Sequence, residues 1–168
     1  MTPYEIISCN LEEHGAQVLE ILNEVIVNST ALYDYEPRPL ESMDGWFANK
    51  ETENFPVIGL VDGNQKLVGF ASFGVFRAYP AFHLTVEHSI YVHKDFRGQG
   101  LAKVLLEKII EEARHRGLHA MVGAIDASNQ ASISLHEQFG FRHVGTLPEV
   151  GFKFDKWLDL VFYQLLLE

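Results

Sequence analysis

The chain has 168 residues, of which 23 are acidic and 13 are basic, so its formal charge is −10 with histidine neutral. This acidic balance disfavours binding to a nucleic-acid backbone as the main role, because such binding needs clustered Lys and Arg. No apolar stretch approaches the roughly 18–20 residues that a membrane helix requires. The single cysteine, Cys9, cannot form an internal disulfide and fits a reducing compartment, so we expect a cytoplasmic protein that binds neither nucleic acid nor membrane.

The apolar periodicity predicts one α/β domain over residues 1–168, since no repeat or linker interrupts the chain. Strands are predicted at 4–9, 56–61, 67–75, 83–92, 120–126, 141–150 and 157–166. Helices are predicted from an Asn10 cap to about residue 28, and at about 40–50, 100–116 and 130–139. This order of elements implies a mixed sheet covered by helices.

The most informative stretch is the strand-to-helix turn Arg97-Gly98-Gln99-Gly100-Leu101-Ala102-Lys103. Glycines let backbone N–H groups converge on one ligand, and a helix N-terminus adds about half a positive charge, which favours phosphate or pyrophosphate. Arg97 and Lys103 can add full charges. The two glycines could also serve only to make a tight turn. A P-loop is excluded because GxxxxGK[ST] is absent, and a dinucleotide fingerprint lacks its third glycine.

The turn resembles the acyl-CoA pyrophosphate motif [RQ]-x-x-G-x-[GA] of the GNAT superfamily of N-acetyltransferases. The block 129–141 resembles the next element of that superfamily, N-x-x-(A/S)-x-x-(L/F)-(Y/H)-x-x-x-G-F. Residues 85–92, 135–137, 151–160 and the loop 28–38 are similar to the phosphinothricin and methionine sulfoximine N-acetyltransferase group. The resemblance implies a single-domain α/β fold, with a mixed, mostly antiparallel twisted sheet flanked by helices and splayed between its two central strands.

The resemblance also implies acetyl-CoA as co-substrate and indicates which residues hold it. Residues 90–92 match the family's splayed strand, whose backbone pairs with the pantetheine arm, and the N–H of Val92 would stabilise the oxyanion. Asn129 would bond the pantetheine or phosphate end. The expected cofactor-binding residues are Ile90, Tyr91, Val92, Arg97, Gly98, Gln99, Gly100, Leu101, Ala102, Lys103 and Asn129.

Acetyl transfer to an amine needs a path for protons, and two residues are candidate catalysts. Glu87 precedes the cofactor strand, where partial desolvation would raise the pKa of its carboxyl and suit it as a base; alternatively it is a solvated acid at a strand edge. His136 lies two helical turns after Asn129 and could protonate the leaving thiolate or help to deprotonate the amine. Its alternative is a buried histidine satisfied by the backbone. Many GNAT enzymes carry tyrosine here.

The expected acceptor pocket combines residues near the central strands with residues carried over from the resemblance. Arg77 could grip an amino-acid carboxylate with its planar fork, or could be an ordinary surface arginine. Lys153 belongs to a block found near the dimer-linked substrate side of the resembled group, which implies a homodimer. Phe152, Phe154, Trp157 and Phe162 could form that interface or fill the core. The predicted substrate-binding residues are Tyr35, Arg77, Phe82, Glu87, His88, Ser89 and Lys153.

These observations predict an acetyl-CoA-dependent N-acetyltransferase that acetylates the amino group of a small amino-acid-like substrate, of the phosphinothricin or methionine sulfoximine type. Direct transfer is expected, because Cys9 lies far from both motif blocks and an acetyl-cysteine intermediate is disfavoured. No metal is expected, since no ligand spacing of histidine or cysteine is present. Two alternatives remain open: another acceptor, such as a polyamine or a protein N-terminus, and a non-catalytic acyl-CoA-binding regulatory module.

Overall fold

A computed structural model describes residues 3–168 and contains one seven-stranded sheet with four α-helices in that range. The predicted domain also includes Met1 and Thr2, which lie outside the described residues. No helix within residues 3–168 is both long and apolar enough to cross a membrane. The strands are β1 (Glu5–Ser8), β2 (Val57–Val61), β3 (Leu67–Val75), β4 (Thr85–Val92), β5 (Ala120–Asp126), β6 (Arg142–Lys153) and β7 (Lys156–Leu166). The helices are α1 (Leu11–Asn28), α2 (Ser42–Thr52), α3 (Leu101–His115) and α4 (Gln130–Gln138).

Local sequence signals explain where several of these elements begin and turn. Asn10 caps α1, because its side-chain oxygen accepts a hydrogen bond from the Glu13 N–H at 2.8 Å. The β2–β3 hairpin turns at Asp62, whose carboxylate accepts from the N–H groups of Asn64 at 2.9 Å and Lys66 at 3.0 Å. The predicted helix cap and hairpin are therefore both confirmed.

One predicted boundary is wrong in an informative way. The strand predicted at 141–150 continues to Lys153, because a register shift between Leu147 and Gly151 absorbs extra residues without ending the pairing with β7. Glu149 takes a positive φ of 52° inside this irregularity, and its N–H donates to the Asp159 carboxylate at 2.8 Å. The pattern of the sequence alone gives no signal for such a bulge.

The sheet has the order β1-β2-β3-β4-β5-β7-β6, and the β4–β5 pair is parallel whereas the other neighbours are antiparallel. Helices α1 and α2 pack against β2 and β3 in one apolar cluster that includes Phe70, while α3 and α4 belong to a second cluster that includes Phe73. The β4–β5 ladder has only three registered pairs, which end at Glu87 and Val122. The expected mixed sheet with a splay between its central strands is confirmed.

Lys153 ties the end of β6 to the segment that follows α1. Its side chain is buried, and its Nζ donates hydrogen bonds to the carbonyls of Ile26 at 2.6 Å, Ser29 at 2.8 Å and Leu32 at 2.7 Å. An ammonium has three N–H donors, so these contacts use all of them. The Lys153 ammonium therefore holds the backbone segment after α1 in place. A substrate-binding role would instead require an ammonium with a free N–H donor.

Replacing Lys153 with methionine should lower the free energy of unfolding by about 2–4 kcal/mol, because three carbonyls would lose a charged donor in a buried position. Denaturant unfolding of the purified protein measures this change. Lys156→Met is the matched control, since Lys156 is an exposed lysine on the same hairpin and should leave the midpoint almost unchanged. Equal midpoints for Lys153→Met and the unsubstituted chain would contradict the anchoring role.

Candidate active site

The divergence of β4 from β5 opens a cleft through the sheet. Beyond the Glu87–Val122 pair the two strands no longer bond to each other, so backbone groups along both edges become available to a ligand. Two adjoining cavities occupy the cleft and contain about 1250 and 1020 Å³ of empty space, part of which is open to solvent. Both are lined by Ala31, Ile90, Tyr91, Val92, Arg97 and Asn129.

Two histidine rings fill the apex of the splay where the strands separate. A Cβ on Gly123 of β5 would lie 2.9 Å from His88 Cε1 and 3.5 Å from two atoms of the His136 ring. Only glycine at position 123 therefore leaves room for both rings between the strands without a shift. Nothing in the residue pattern of β5 singled out Gly123, because its importance depends on side chains from β4 and α4.

His88 and His136 are in direct contact and are bonded to backbone at their far sides. Their Nε2 atoms lie 2.8 Å apart, His88 Nδ1 lies 3.1 Å from the Val122 carbonyl, and His136 Nδ1 lies 2.6 Å from the Ser132 carbonyl. Burial lowers the pKa of both rings; for His88 the neighbouring His136 contributes as well and the pKa falls to about 3. Both rings line the larger cavity, so two residues predicted to have separate roles form one pair.

The glycine turn at the start of α3 presents an open anion site at one end of the cleft. Gly98 and Gly100 have φ values of 77° and 78°, a conformation that other residues adopt only with strain. A Cβ on either glycine would meet no atom within 4 Å. Gly98, Gly100, Leu101 and Ala102 line the larger cavity, which brings the positive end of α3 to it. The turn thus fits a pyrophosphate group.

The two cations of the expected phosphate site, Arg97 and Lys103, are not both free and directed at the cleft. Arg97 lines the cavity, but its Nη2 is 2.6 Å from the Glu24 carboxylate and its Nε donates to the Val92 carbonyl at 3.2 Å. Its charge is therefore already balanced by α1. Gln99 accepts a hydrogen bond from the Tyr4 hydroxyl at 2.5 Å. Neither Gln99 nor the exposed Lys103 is among the residues that line the two cavities.

Three ionisable groups gather near the cleft on the side of α1. Tyr33 lines the larger cavity, and burial, together with the charges of Asp126 and Glu87, raises the pKa of its hydroxyl to about 12. Glu87 is half-buried, and desolvation raises the pKa of its carboxyl. For Asp126, burial alone would raise the pKa, but hydrogen bonds from Thr30 and Ser128 outweigh it and the pKa is lowered. Carboxylates from both splayed strands thus raise the pKa of one phenol.

Asn129 lines both cavities and also caps α4. Its side-chain oxygen accepts from the Ser132 N–H at 3.2 Å, so the oxygen is already engaged whereas the amide N–H groups can still reach a ligand. His136 follows on the same helix and reaches the same cavity, as the two-turn spacing predicts. Ile90, Tyr91, Val92 and Ser89 of the expected site also line the larger cavity.

Five expected acceptor residues are absent from the lining of the two cavities of the cleft: Tyr35, Arg77, Phe82, Glu87 and Lys153. The Tyr35 hydroxyl donates to the Phe152 carbonyl at 2.6 Å. Arg77 is exposed, with its guanidinium carbon 6.0 Å from the centre of the Tyr79 ring. Phe82 packs edge-on against the rings of Phe76 and Tyr79. Arg77 and Phe82 belong to the segment between β3 and β4, whereas Tyr35 follows α1 and Lys153 ends β6, so these side chains do not form one wall of the cleft.

Sequence reasoning missed several residues of the larger cavity: Ala31, Gly123, Asp126 and Ser132 have no assigned role in the expected site. Asp126 carried a usable signal, because it ends a strand three residues before the motif residue Asn129. Ser132 stands at the A/S position three residues after Asn129, whereas Ala31 and Gly123 reach the cavity only through the folding of distant segments. Within residues 3–168, no group of three or more His, Cys, Asp or Glu side chains is arranged to hold a metal ion.

Comparison with known proteins gives concordant results. The profile described as Acetyltransferase (GNAT) family matches residues 18–141. The L-methionine sulfoximine/L-methionine sulfone acetyltransferase of Pseudomonas aeruginosa is 43% identical over 151 residues, which span 90% of this chain and 88% of that protein. An N-acetyltransferase from Staphylococcus aureus Mu50 has a structure with a TM-score of 0.95 and 44% identity, and the match covers 99% of each chain.

A third relative is informative about the cleft. The GNAT superfamily phosphinothricin acetyltransferase from Sinorhizobium meliloti, determined in complex with AcCoA, has a TM-score of 0.93 and 28% identity, and the match covers 98% of this chain and 88% of that one. The profile match includes β4, the glycine turn, α3 and α4, the elements that build the cleft described above. The chain belongs to the GNAT family of acetyltransferases.

Proposed function

We propose that this protein is an acetyl-CoA-dependent N-acetyltransferase that acetylates the amino group of a small amino-acid-like substrate by direct transfer. The observation that carries the proposal is the splayed cleft, which has an open glycine turn at one end and buried titratable groups along its length. Relatives named for methionine sulfoximine, methionine sulfone and phosphinothricin support an acceptor of that type.

In this proposal, each part of acetyl-CoA is bound by a different group of residues in the cleft. The N–H groups at Gly98–Ala102 would hold its pyrophosphate, and the free edge of Ile90–Val92 would bond its pantetheine amides. When bound, the co-substrate supplies an acetyl thioester. Val92 N–H would then stabilise negative charge on the carbonyl oxygen, since a backbone donor at a splayed edge is already oriented.

Glu87 is the proposed base for the incoming amine. Burial raises the pKa of its carboxyl, which brings its proton affinity closer to that of an amine than a solvated glutamate would have. Tyr33 and the ionised Asp126 favour a cationic ammonium next to it. The thiol of Cys9 is buried and burial raises its pKa to about 12, which supports direct transfer rather than a cysteine-bound acetyl group.

A carboxylate-bearing acceptor is supported by Arg77, whose guanidinium makes no ion pair with an acidic side chain among the described residues. Arg77 follows β3, whose last residues Gly74 and Val75 pair with Glu87 and Val86. This register puts the Arg77 loop beside the Glu87 end of β4. A guanidinium in that place could hold the carboxylate of an amino acid whose amine reaches Glu87.

A homodimer and a cytoplasmic location belong to the same proposal. The β6–β7 hairpin carries exposed apolar side chains at Val150, Phe152, Phe154 and Trp157, the kind of contiguous patch that commonly marks an interface. The Tyr35 hydroxyl donates to the Phe152 carbonyl, so a second subunit on this hairpin would lie next to the loop 28–38, which contains Tyr35. A reduced thiol at Cys9 and the use of acetyl-CoA are compatible with the cytoplasm.

Purified protein with acetyl-CoA should release free thiol in the presence of methionine sulfoximine, methionine sulfone or phosphinothricin. The matched controls are the same compounds with the amine already acetylated and, separately, with the carboxylate amidated. Thiol release is followed with a chromogenic disulfide reagent. Greater activity with polyamines or with peptide N-termini would replace the proposed acceptor class, and no thiol release with any amine would refute the enzyme itself.

Glu87→Gln should lower kcat by about 10²–10⁴-fold while the KM for acetyl-CoA stays nearly constant, because the amide cannot accept a proton. The unsubstituted enzyme should lose kcat/KM as the pH falls through the raised pKa of Glu87, since a base works only when deprotonated, and the variant should lack this acidic limb. Glu107→Gln, an exposed residue of α3, serves as control. Unchanged turnover in Glu87→Gln would remove Glu87 from the mechanism.

Gly100→Val should raise the KM for acetyl-CoA by about tenfold or more, because a branched residue distorts the left-handed turn and covers its N–H groups. Gly117→Val is a close control: Gly117 has a φ of 69° and an equally open Cβ direction, but lies at the other end of α3. Both variants should lose similar thermal stability, and only Gly100→Val should weaken binding of CoA by calorimetry. Equal KM values in the two variants would argue against the phosphate role of the turn.

A further inference from the structure

The contacts of His88 and His136 leave a place for one more proton than two neutral rings carry. Each Nδ1 faces a backbone carbonyl, that of Val122 or Ser132, and a carbonyl can only accept, so both Nδ1 atoms must bear hydrogen. Neutral imidazoles with Nδ1–H have bare Nε2 atoms. The two Nε2 atoms nevertheless lie 2.8 Å apart, a separation that suits a shared proton and not two opposed lone pairs.

The surroundings of the pair do not stabilise a permanent positive charge. Val122 and Gly123 of β5, Ser132 of α4 and the ring of Phe141 face the two imidazoles, and none of these groups is charged. Within residues 3–168, no hydrogen bond or ion pair joins either ring to a charged side chain. Burial accordingly lowers both pKa values. The geometry accepts a third proton, while the low polarity favours its prompt release.

The pair also occupies the right place for proton transfer during the proposed reaction. Both rings line the same cavity as Ile90–Val92 and the start of α3. Successive residues of a strand point to opposite faces, so Glu87 and His88 lie on opposite faces of β4 at the point where its ladder with β5 ends. A reacting amine in the splay would thus have a carboxylate on one side and the bare Nε2 atoms on the other.

We propose that His88 and His136 act together as one proton relay that carries a proton from the reacting amine nitrogen to the sulfur of coenzyme A. The proposal rests on the proposed acetyltransferase function and assigns His88 a role beyond acceptor binding. It also replaces the assignment of a single histidine acid with a pair that shares one site for the transferred proton.

The relay follows from counting protons. An amine that arrives as an ammonium loses two protons, and Glu87 takes the first before attack. The nitrogen then bonds to the carbonyl carbon as the π pair moves to oxygen, and the second proton passes from nitrogen to the bare Nε2 site. When the oxygen pair re-forms the carbonyl, the C–S bond breaks with its pair on sulfur, and the relay gives that proton to sulfur. Amide and thiol are formed, both rings are neutral again, and Glu87 releases its proton to water.

Kinetics of glutamine variants give the first test. His88→Gln and His136→Gln should each lower kcat by about 10²–10⁴-fold with little change in either KM, and the double variant should be no slower than the slower single variant. His14→Gln is the control, because His14 is buried on α1, away from the cleft, and bonds the Asn10 N–H. Thermal midpoints establish that each variant is folded. A kcat of His88→Gln within about threefold of the unsubstituted enzyme would overturn the relay.

Chemical rescue distinguishes proton transfer from packing. In His88→Ala and His136→Ala, added imidazole should restore kcat with saturation, whereas pyrazole should not, because it has the same ring size and an N–H but is far less basic. Rescue by both rings, or by neither, would assign the histidines a structural role and overturn the proposal. If one alanine variant does not fold, the other decides the question.

Histidine-selective ¹⁵N NMR of the ligand-free protein gives a readout independent of activity. Signals of both rings should move together in one step that corresponds to uptake of one proton, and His88→Gln should shift the His136 Nε2 signal at neutral pH. Separate, independent titration of the two rings would overturn the pairing. Absence of thiol release from the unsubstituted protein would instead refute the acetyltransferase function and leave the paired titration as a property of the fold.

Discussion

The interruption of the β4–β5 ladder after three pairs is the constraint on which the site depends. Separating two central strands leaves backbone groups that water or a ligand must satisfy. The chain limits this cost with side chains of its own: His88 bonds the Val122 carbonyl and Arg97 bonds the Val92 carbonyl, at the two ends of the open region. Gly123 makes the separation possible, because any Cβ there would collide with the His88 ring.

Charge is distributed along the cleft so that an acidic protein can bind an anionic co-substrate. The formal charge of −10 describes the whole chain, whereas the start of α3 offers N–H groups and a helix dipole to the cavity. Arg97 does not add a free charge, since Glu24 neutralises it at 2.6 Å. In the proposed complex, backbone donors would therefore do most of the anion binding, which gives a reason for two residues with positive φ, Gly98 and Gly100, at this point.

Local patterns predicted the parts of the structure that depend on neighbours in sequence. The Asn10 cap, the Asp62 hairpin and the glycine turn each involve residues within a few positions of one another, and all three appear as expected. Lys153 and the His88–His136 contact could not be found in this way. They join residues 127 and 48 positions apart, so their roles appear only once strand register and helix packing are known.

Strand alternation connects the two proton-transfer roles to a single element. Because Glu87 and His88 are adjacent on β4, their side chains lie on opposite faces of the sheet, with His88 against His136 of α4. A direct transfer that removes two protons at different moments needs two acceptors that do not compete. Opposite faces of one strand would provide this separation, with Glu87 at the last paired position of β4 and His88 at the first position without a β5 partner. In the proposed mechanism the splay would divide the proton chemistry as well as admit the co-substrate.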